Sequence, residues 1–274
     1  MPAISTNMAA NSAVRYLNIN SNQETSSLSK LSSGSRITSA SDDAAGLAIS
    51  TRISSDITTL QQAATNAAQA TSILQTADGG ASNISDILAR MKSLASESAS
   101  GTTVSSSRAY IQSEFSQLSQ QIDSIAGGTR YSGQSLLNAT GDFSAAVSVL
   151  VGSSAGDTIS ISLTSLTATT LGVSGLDVST SSGATTALTT LDSAISTVSA
   201  ARANIGAQES RFNFSADSIS TQTQNLQSAN SAIKDVDIAA EQAKLSSAEV
   251  KTQAAVSAEA AANQMPQYLL KLLG

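Results

Sequence analysis

The chain has 274 residues and a net charge of −6, with no cysteine, histidine or tryptophan, 3% aromatic residues and 12% charged residues. Those absences exclude a disulfide, a thiolate nucleophile, an ordinary zinc site, haem ligation and a Ser-His-Asp triad, and no cofactor is expected. The acidic balance argues against nucleic acid as a partner, and no run approaches the ~18 consecutive apolar residues of a membrane span.

A typical soluble domain carries roughly 25% charged residues. Here Ala, Ser, Thr, Asn and Gln fill the gap. With so few aromatics a single globular core would be thin, so burial must come from long helix seams or from neighbouring chains. The first ten residues lack the basic and apolar regions of a cleaved signal peptide, so export is expected to use another route.

Taken in order, Ile4, Val14, Leu17, Leu28 and Leu31 form a sparse helical stripe, with Asn11, Ser21 and Glu24 between them. Such a helix is marginal in isolation. Gly34 sits where a left-handed C-cap glycine belongs. Arg36 and Ile37 follow in a segment without helical period. Ser41 is the expected N-cap of the next helix. Asp42 and Asp43 would then fall in its first turn, facing the positive end of the helix dipole.

From residue 44 to about 99 the pattern sharpens. Ile53, Ile57, Leu60, Ala64, Ala67, Ala70, Leu74, Ala77, Ala81, Ile84, Leu88, Met91 and Ala95 are spaced by threes and fours. A doubled three-step near Ala70 reads as a stammer in a coiled-coil seam. Such a helix would extend about 80 Å, against roughly 50 Å for a compact globule of this length, so a rod is expected. Gly79-Gly80 threatens continuity at about 1 kcal/mol per glycine, and Asn83 with Asp86 could start a new helix there. A continuous or kinked helix, without chain reversal, is the expectation.

Residues 101–107 read as a linker. Residues 108–126 read as a further helix with Ile111, Phe115, Leu118, Ile122 and Ile125 on one face, ended by Gly127-Gly128. Val147, Val149 and Val151 alternate with polar or small residues, as do Ile159, Ile161 and Leu163. The intervening 152–157 makes an antiparallel hairpin the expectation. Residues 164–186 are rich in Ser, Thr and Gly and read as a flexible surface loop whose hydroxyls could accept O-linked sugars. From Ala187 the seam returns through Leu188, Leu191, Ile195, Val198, Ile205, Phe212, Ala216, Ile219, Leu226 and Ile233. Arg202, Glu209, Thr223 and Asn230 occupy its other positions. The tail is an Ala-rich helix ending in Leu269, Leu270, Leu272 and Leu273. Such a cluster is a solubility hazard unless partner subunits bury it. Pro266 allows a bend there without ending the packing.

Two seams far apart in sequence each expose an apolar stripe, so they must meet. The simplest closure is an up-and-down rod, 44–125 against 187–233, with the terminal helices paired at one end. A repeating contact between copies that does not close on itself makes a helical filament.

Particular runs are more specific than these patterns. L-S-S-G-S-R-I begins at Leu31 and S-A-S-D-D-A-A-G-L-A-I at Ser39. T-R-Y-S-G-Q-S-L-L-N begins at Thr129, R-A-N-I-G-A-Q-E-S-R-F at Arg202 and A-N-Q-M-P-Q at Ala262. Together they resemble bacterial flagellin over about residues 1–140 and 187–274. The resemblance implies a mainly-α fold: a long antiparallel coiled-coil rod with a small central β-hairpin region. It implies inner-tube helix and spoke at 1–43, rod helices at 44–140, a variable centre at 141–186, a rod helix at 187–233 and an inner-tube helix at 234–274. It further implies a secreted structural subunit of the extracellular flagellar filament, exported by the flagellum-specific type III route. The expected partners are further copies of itself, the filament cap, hook–filament junction proteins and an export chaperone. Leu28, Leu31, Arg36, Ile37, Asp42, Asp43, Asn263, Gln264, Pro266, Leu269, Leu270, Leu272 and Leu273 are the implied assembly residues.

Arg90 and Leu94 in L-A-R-M-K-S-L-A, and Glu114 in Y-I-Q-S-E-F-S-Q-L, match the Arg, Leu and Glu by which many flagellins contact Toll-like receptor 5. Met91, Lys92 and Ser93 depart from the V-R-E found there in receptor-binding relatives. The plainer reading makes Leu94 core and Arg90 a solvated residue. The nearest rival function is the hook–filament junction protein, but those tend to carry Pro after the Asp pair, where this chain has Ala44-Ala45-Gly46. Another type III-secreted coiled-coil protein is the next. An enzyme is the least expected class, since Asp42 and Asp43 are adjacent and not opposed across a cleft.

Overall fold

The computed structural model describes residues 7–138, 143 and 145–273, the last eight residues of that range (266–273) as helical backbone. Ile4 of the expected first stripe lies outside the described residues. The mainly-α expectation holds. The helices are α1 (Met8–Ser33), α2 (Ala44–Ala99), α3 (Ser105–Gly128), α4 (Ser181–Lys234) and α5 (Ile238–Leu273). Two antiparallel hairpins accompany them among the described residues. One joins β1 (Arg130–Tyr131) to β2 (Gln134–Ser135), the other β3 (Val147–Leu150) to β4 (Thr158–Ile161). The chain forms two compact units, one of Asp56–Gln224 and one of Met1–Ser55 with Asn225–Gly274.

In the first of these, α2 buries Leu60, Ala63, Ala67, Ala70, Leu74, Ala77, Ala81, Ile84, Leu88, Met91, Ala95 and Ser98. Steps of three and four alternate along this row without interruption, which is the heptad period that keeps one stripe facing its partner. The expected stammer is absent. It arises from placing Ala64 on the seam, whereas Ala63 is buried and Ala64 is half-buried. Two adjacent alanines are equally apolar, and only the helix's phase distinguishes them. On α4 the same period runs through Ala184, Ala187, Leu191, Ala194, Val198, Ala201, Ile205, Gln208 and Phe212. Leu188, Ile195, Arg202 and Glu209 stand beside this row and are half-buried.

Polar pairs along the flanks give the direction of packing. Gln75 donates to Glu209 at 2.9 Å, Arg202 bonds Asp78 through two nitrogens at 2.8 and 3.2 Å, and Lys92 pairs with Asp192. Moving from 75 to 92 on α2 takes the partner from 209 down to 192, so the two helices are antiparallel as expected. α3 turns back along α2. Arg108 Nε donates to the Ser98 carbonyl at 2.9 Å, and Arg90 pairs with Glu114 at 2.7 Å. Its buried face is Ile111, Phe115, Ile122 and Ala126, with Leu118 and Ile125 half-buried.

The helix does not break at Gly79-Gly80, and Asn83 starts nothing new. Gly80 is buried, and a Cβ there would meet the Thr129 hydroxyl and stand 2.8 Å from Leu137 Cδ1. Those two residues flank the β1–β2 hairpin, whose two-residue turn has Ser132 and Gly133 at φ of 50° and 85°. Positive φ at both turn positions matches the right-handed twist of a tight hairpin. The glycine is thus a seat for that hairpin and not a weak point of the helix.

The β3–β4 hairpin has the expected strands, with Val147 opposite Ile161 and Val149 opposite Ile159. The expectation for 164–186 is corrected. Leu166, Ala168, Leu171, Val173 and Val178 are buried, and α4 already begins at Ser181. Asp123 accepts from the Ala168 amide at 2.8 Å, and Gln112 accepts from the Val178 amide at 2.6 Å while donating to the Leu176 carbonyl. A Ser/Thr-rich composition hides this strap because its anchors are single apolar residues spaced by polar ones. Its backbone groups are paired by turns of its own, by the Leu137 carbonyl and by side chains of α3, and not by a ladder.

Candidate assembly surface

The other unit pairs α1 with α5. Asn7 caps α1 by accepting from the Ala10 amide at 3.1 Å, and its Nδ2 donates to the Ala262 carbonyl at 2.8 Å. At the opposite end of α1, Ser27 Oγ donates to Glu241 Oε1 at 2.7 Å. Position 7 therefore meets 262 and position 27 meets 241, an antiparallel pair.

Its seam is not the one expected. The residues turned inward on α1 are Ala10, Ala13, Leu17, Asn20, Glu24, Ser27 and Leu31, and on α5 Glu241, Leu245, Ala248, Thr252, Ala255, Glu259 and Ala262. Both rows alternate steps of three and four. They are made mostly of small and polar side chains, with Leu17, Leu31 and Leu245 among them. Nine bulky apolar residues stand outside the seam: Met8, Val14, Tyr16, Ile19 and Leu28 on α1, and Ile238, Val250, Val256 and Met265 on α5, each 38–71% exposed. Val14 and Leu28 are thereby corrected from seam to outer face. Leu17 and Leu31 do face α5, half-buried. The pattern inverts the usual amphipathic helix, in which the large aliphatics face the partner.

Ser27 and Glu241 are 1% and 6% exposed. The Lys244 ammonium, 2.9 Å from the other carboxylate oxygen, and the Ser27 hydroxyl hold the Glu241 carboxyl below its ordinary range.

Between the helix pairs of sequence, residues 34–43 form a polar joint. Gly34 ends α1 at φ 67°, the left-handed cap that the sequence indicates. Ser35 bridges Asp235: the Arg36 amide donates to Lys234 O at 2.6 Å and the Val236 amide to Gly34 O at 3.1 Å. Arg36 Nη2 donates to Ile233 O at 2.7 Å, and Ser35 Oγ reaches Lys234 O at 3.2 Å. The last carbonyls of α4, which a helix leaves without internal partners, are thus capped by a segment almost two hundred residues earlier. Ile37 is 5% exposed, and a Cβ at Gly46 would stand 2.8 Å from its Cδ1.

The expected cap at the start of α2 is corrected by two residues. Asp43 is the N-cap: its carboxylate accepts from the Gly46 amide at 2.8 Å, and its carbonyl accepts from Leu47. Asp42 turns back instead. One of its oxygens takes the Thr38 amide, the Thr38 hydroxyl and the Ser39 amide at 2.9–3.0 Å, which brings its pKa from 3.8 to about 2. Ser41 bonds the Ser39 hydroxyl and caps nothing. Asp237 caps α5 by accepting from the Ala240 amide at 3.0 Å. Ser and Asp are both good N-caps, and sequence spacing alone does not choose between Ser41 and Asp43.

Asn263 and Gln264 are exposed on α5. Pro266, Leu269, Leu270, Leu272 and Leu273 continue that helix, but their side chains lie outside the described residues. Arg90 and Glu114 are exposed and paired with each other, while Leu94 is 3% exposed, buried on α2 beside the seam row. The structure therefore brings two of these three together at the surface and keeps the third inside. The inward Ser27, Glu241 and Asn20 were missed by sequence reasoning. Counting the three-four alternation forward from Ala10 on α1 and back from Ala262 on α5, without regard to polarity, would have found them.

Comparison with known proteins gives a consistent result. The family described as the bacterial flagellin N-terminal helical region matches residues 4–142, and the bacterial flagellin C-terminal helical region matches 188–273. A flagellin of Halalkalibacterium halodurans is 36% identical over 272 residues, covering 98% of this chain and 99% of the relative. The flagellar filament 30.7 kDa core protein of Treponema maltophilum is 35% identical over 284 residues, with 98% and 99% covered. The crystal structure of Bacillus cereus flagellin superposes with a TM-score of 0.52 at 30% identity, covering 61% of this chain and 94% of that one.

Proposed function

The chain belongs to the bacterial flagellins and is a structural subunit that polymerises into the flagellar filament; from that premise we propose that the outward aliphatic face of α1 and α5 is where copies meet. The observation that carries this is the inverted pair itself. Nine large apolar side chains stand exposed on the two terminal helices, while the seam between them holds Leu17, Leu31 and Leu245 among small and polar residues. Large apolar side chains left exposed in this number cost solubility unless something covers them, and a second copy can do so.

In this reading Leu31, Arg36, Ile37, Asp42 and Asp43 hold α1 and the spoke in place. Leu28, Asn263, Gln264, Pro266 and the leucines 269, 270, 272 and 273 contact neighbouring subunits. The division into inner-tube segments (1–43 and 234–274), rod segments (44–140 and 187–233) and a central region (141–186) follows the same reading. So do secretion to the cell exterior and the cap, junction and chaperone partners. No catalytic role is assigned to Asp42 or Asp43, because both carboxylates are engaged by backbone amides.

The test is assembly of the purified full chain, seeded or salted out, followed by electron microscopy. Long tubes are expected. Removal of residues 264–274 should abolish them while leaving helicity of 56–224 intact, and normal filaments from that truncation would refute the surface. A Toll-like receptor 5 contact would engage the Arg90–Glu114 pair at the surface. A receptor-reporter assay in which R90A/E114A signals like the unaltered protein would remove these residues from it.

A further inference from the structure

The inverted α1–α5 pair poses a question of its own. Turning each helix toward the flank that carries Val14 and Val256 would bury those two valines against each other in place of the seam alanines. Instead they bury Leu245 and the alanines 248, 255 and 262 together with Ser27 and Glu241. α5 is alanine-rich on every side, so apolar area distinguishes one facing from another only weakly. A buried carboxylate distinguishes them strongly. It is tolerated on the inside only where a donor meets it, and turning it away from that donor removes the reason for the facing.

We propose that the Ser27–Glu241 hydrogen bond selects the facing of α1 against α5 and so keeps the aliphatic surface turned outward for assembly. Ser27 is the only seam residue of α1 bonded to Glu241 among the described residues, and Lys244 holds the other carboxylate oxygen from the exposed flank of the same helix. A single buried polar contact fixing the relation of two helices is a known use of such contacts. This proposal rests on the reading of the outer face as an assembly surface, but the facing can be measured apart from assembly.

The chain has no cysteine, so introduced pairs report geometry without background. The pairings 7 with 262 and 27 with 241 put Ala13 level with Ala255 on the seam. Val14 and Val256 follow them in sequence on the outer face. In the full chain A13C/A255C should form a disulfide under mild oxidation, and V14C/V256C should not. S27A removes the donor that α1 offers Glu241 and leaves it only Lys244 of its own helix, and should shift the ratio of the two crosslinks toward V14C/V256C by about tenfold. Adding E241L removes the carboxylate left without a partner on α1 and should restore A13C/A255C. If S27A abolishes both crosslinks, recovery of A13C/A255C in S27A/E241L still assigns the effect to the carboxylate. A13C/A255C unchanged by S27A, or not recovered with E241L, overturns the proposal. Sedimentation of the same samples reads assembly separately. An unaltered chain that keeps the facing yet never forms filaments defeats the assembly surface and leaves the facing result standing.

Discussion

At Gly80 an added Cβ would collide with Thr129 and Leu137, whereas at Gly79 it would meet nothing within 4 Å. The two glycines are neighbours in one helix and should respond oppositely to the same change. G79A removes a flexible residue from an exposed helical position and should stabilise by about 0.5–1 kcal/mol. G80A forces the β1–β2 hairpin off its seat and should destabilise by about 1–3 kcal/mol. Urea unfolding of the two variants checks both signs, and equal shifts would refute the packing account. Asp42 makes a second residue-scale case. Its folded pKa of about 2 lies below its ordinary 3.8, so its contribution to the spoke is fully present above pH 3.8 and is lost as pH falls through about 2. The Thr38 and Ser39 amide resonances should therefore hold steady from neutral pH down to that window and move within it. D42N should abolish the titration.

Among the elements, the spoke depends least on burial and most on hydrogen bonds. Arg36 and Ser35 supply donors to carbonyls that α4 leaves unpaired, and Asp43 and Asp237 take amides that α2 and α5 leave unpaired. R36A removes one charge-assisted bond at an exposed site and should cost roughly 1 kcal/mol. The loss should appear as faster amide exchange around 231–237, with the 60–98 segment of α2 unaffected. Faster exchange across the whole of α4 would contradict this local role. The strap between β4 and α4 shows the converse arrangement. Leu166, Leu171, Val173 and Val178 supply burial, and Gln112 and Asp123 supply the hydrogen bonds that a loop in the interior requires.

Across the molecule the two units divide the burial unequally. The unit of 56–224 holds the fully buried side chains Phe115, Phe212, Leu74, Ile84, Leu88 and Leu191, whereas α1 and α5 face each other mostly with half-buried small residues. Burying one large aliphatic side chain contributes about 1.5–3 kcal/mol, so the terminal helices have little of their own to oppose chain entropy. In the lone chain, amides of α1 and α5 should exchange orders of magnitude faster than those of Leu74 to Leu88, and assembly should slow them. Equal protection in the lone chain would contradict this ordering.

Local chemistry was legible in the residues themselves. The helical periods, the Gly34 cap, the β3–β4 alternation and the family runs at both ends depend only on neighbours in sequence. Membership of the flagellins follows from those runs, and the comparisons bear it out. What needed the folded chain was every choice between residues that can fill the same role: Ala63 over Ala64 on the seam, Asp43 over Ser41 as the cap, and Gly80 over Gly79 as the seat of a hairpin. In each case either candidate suits the role, and the path or phase of the folded backbone, or a contact from a distant part of the chain, separates them. The same holds for the terminal pair. Composition identifies which side chains are apolar, but which of them face inward is set by the partner across the seam, and here that partner is a serine meeting a glutamate.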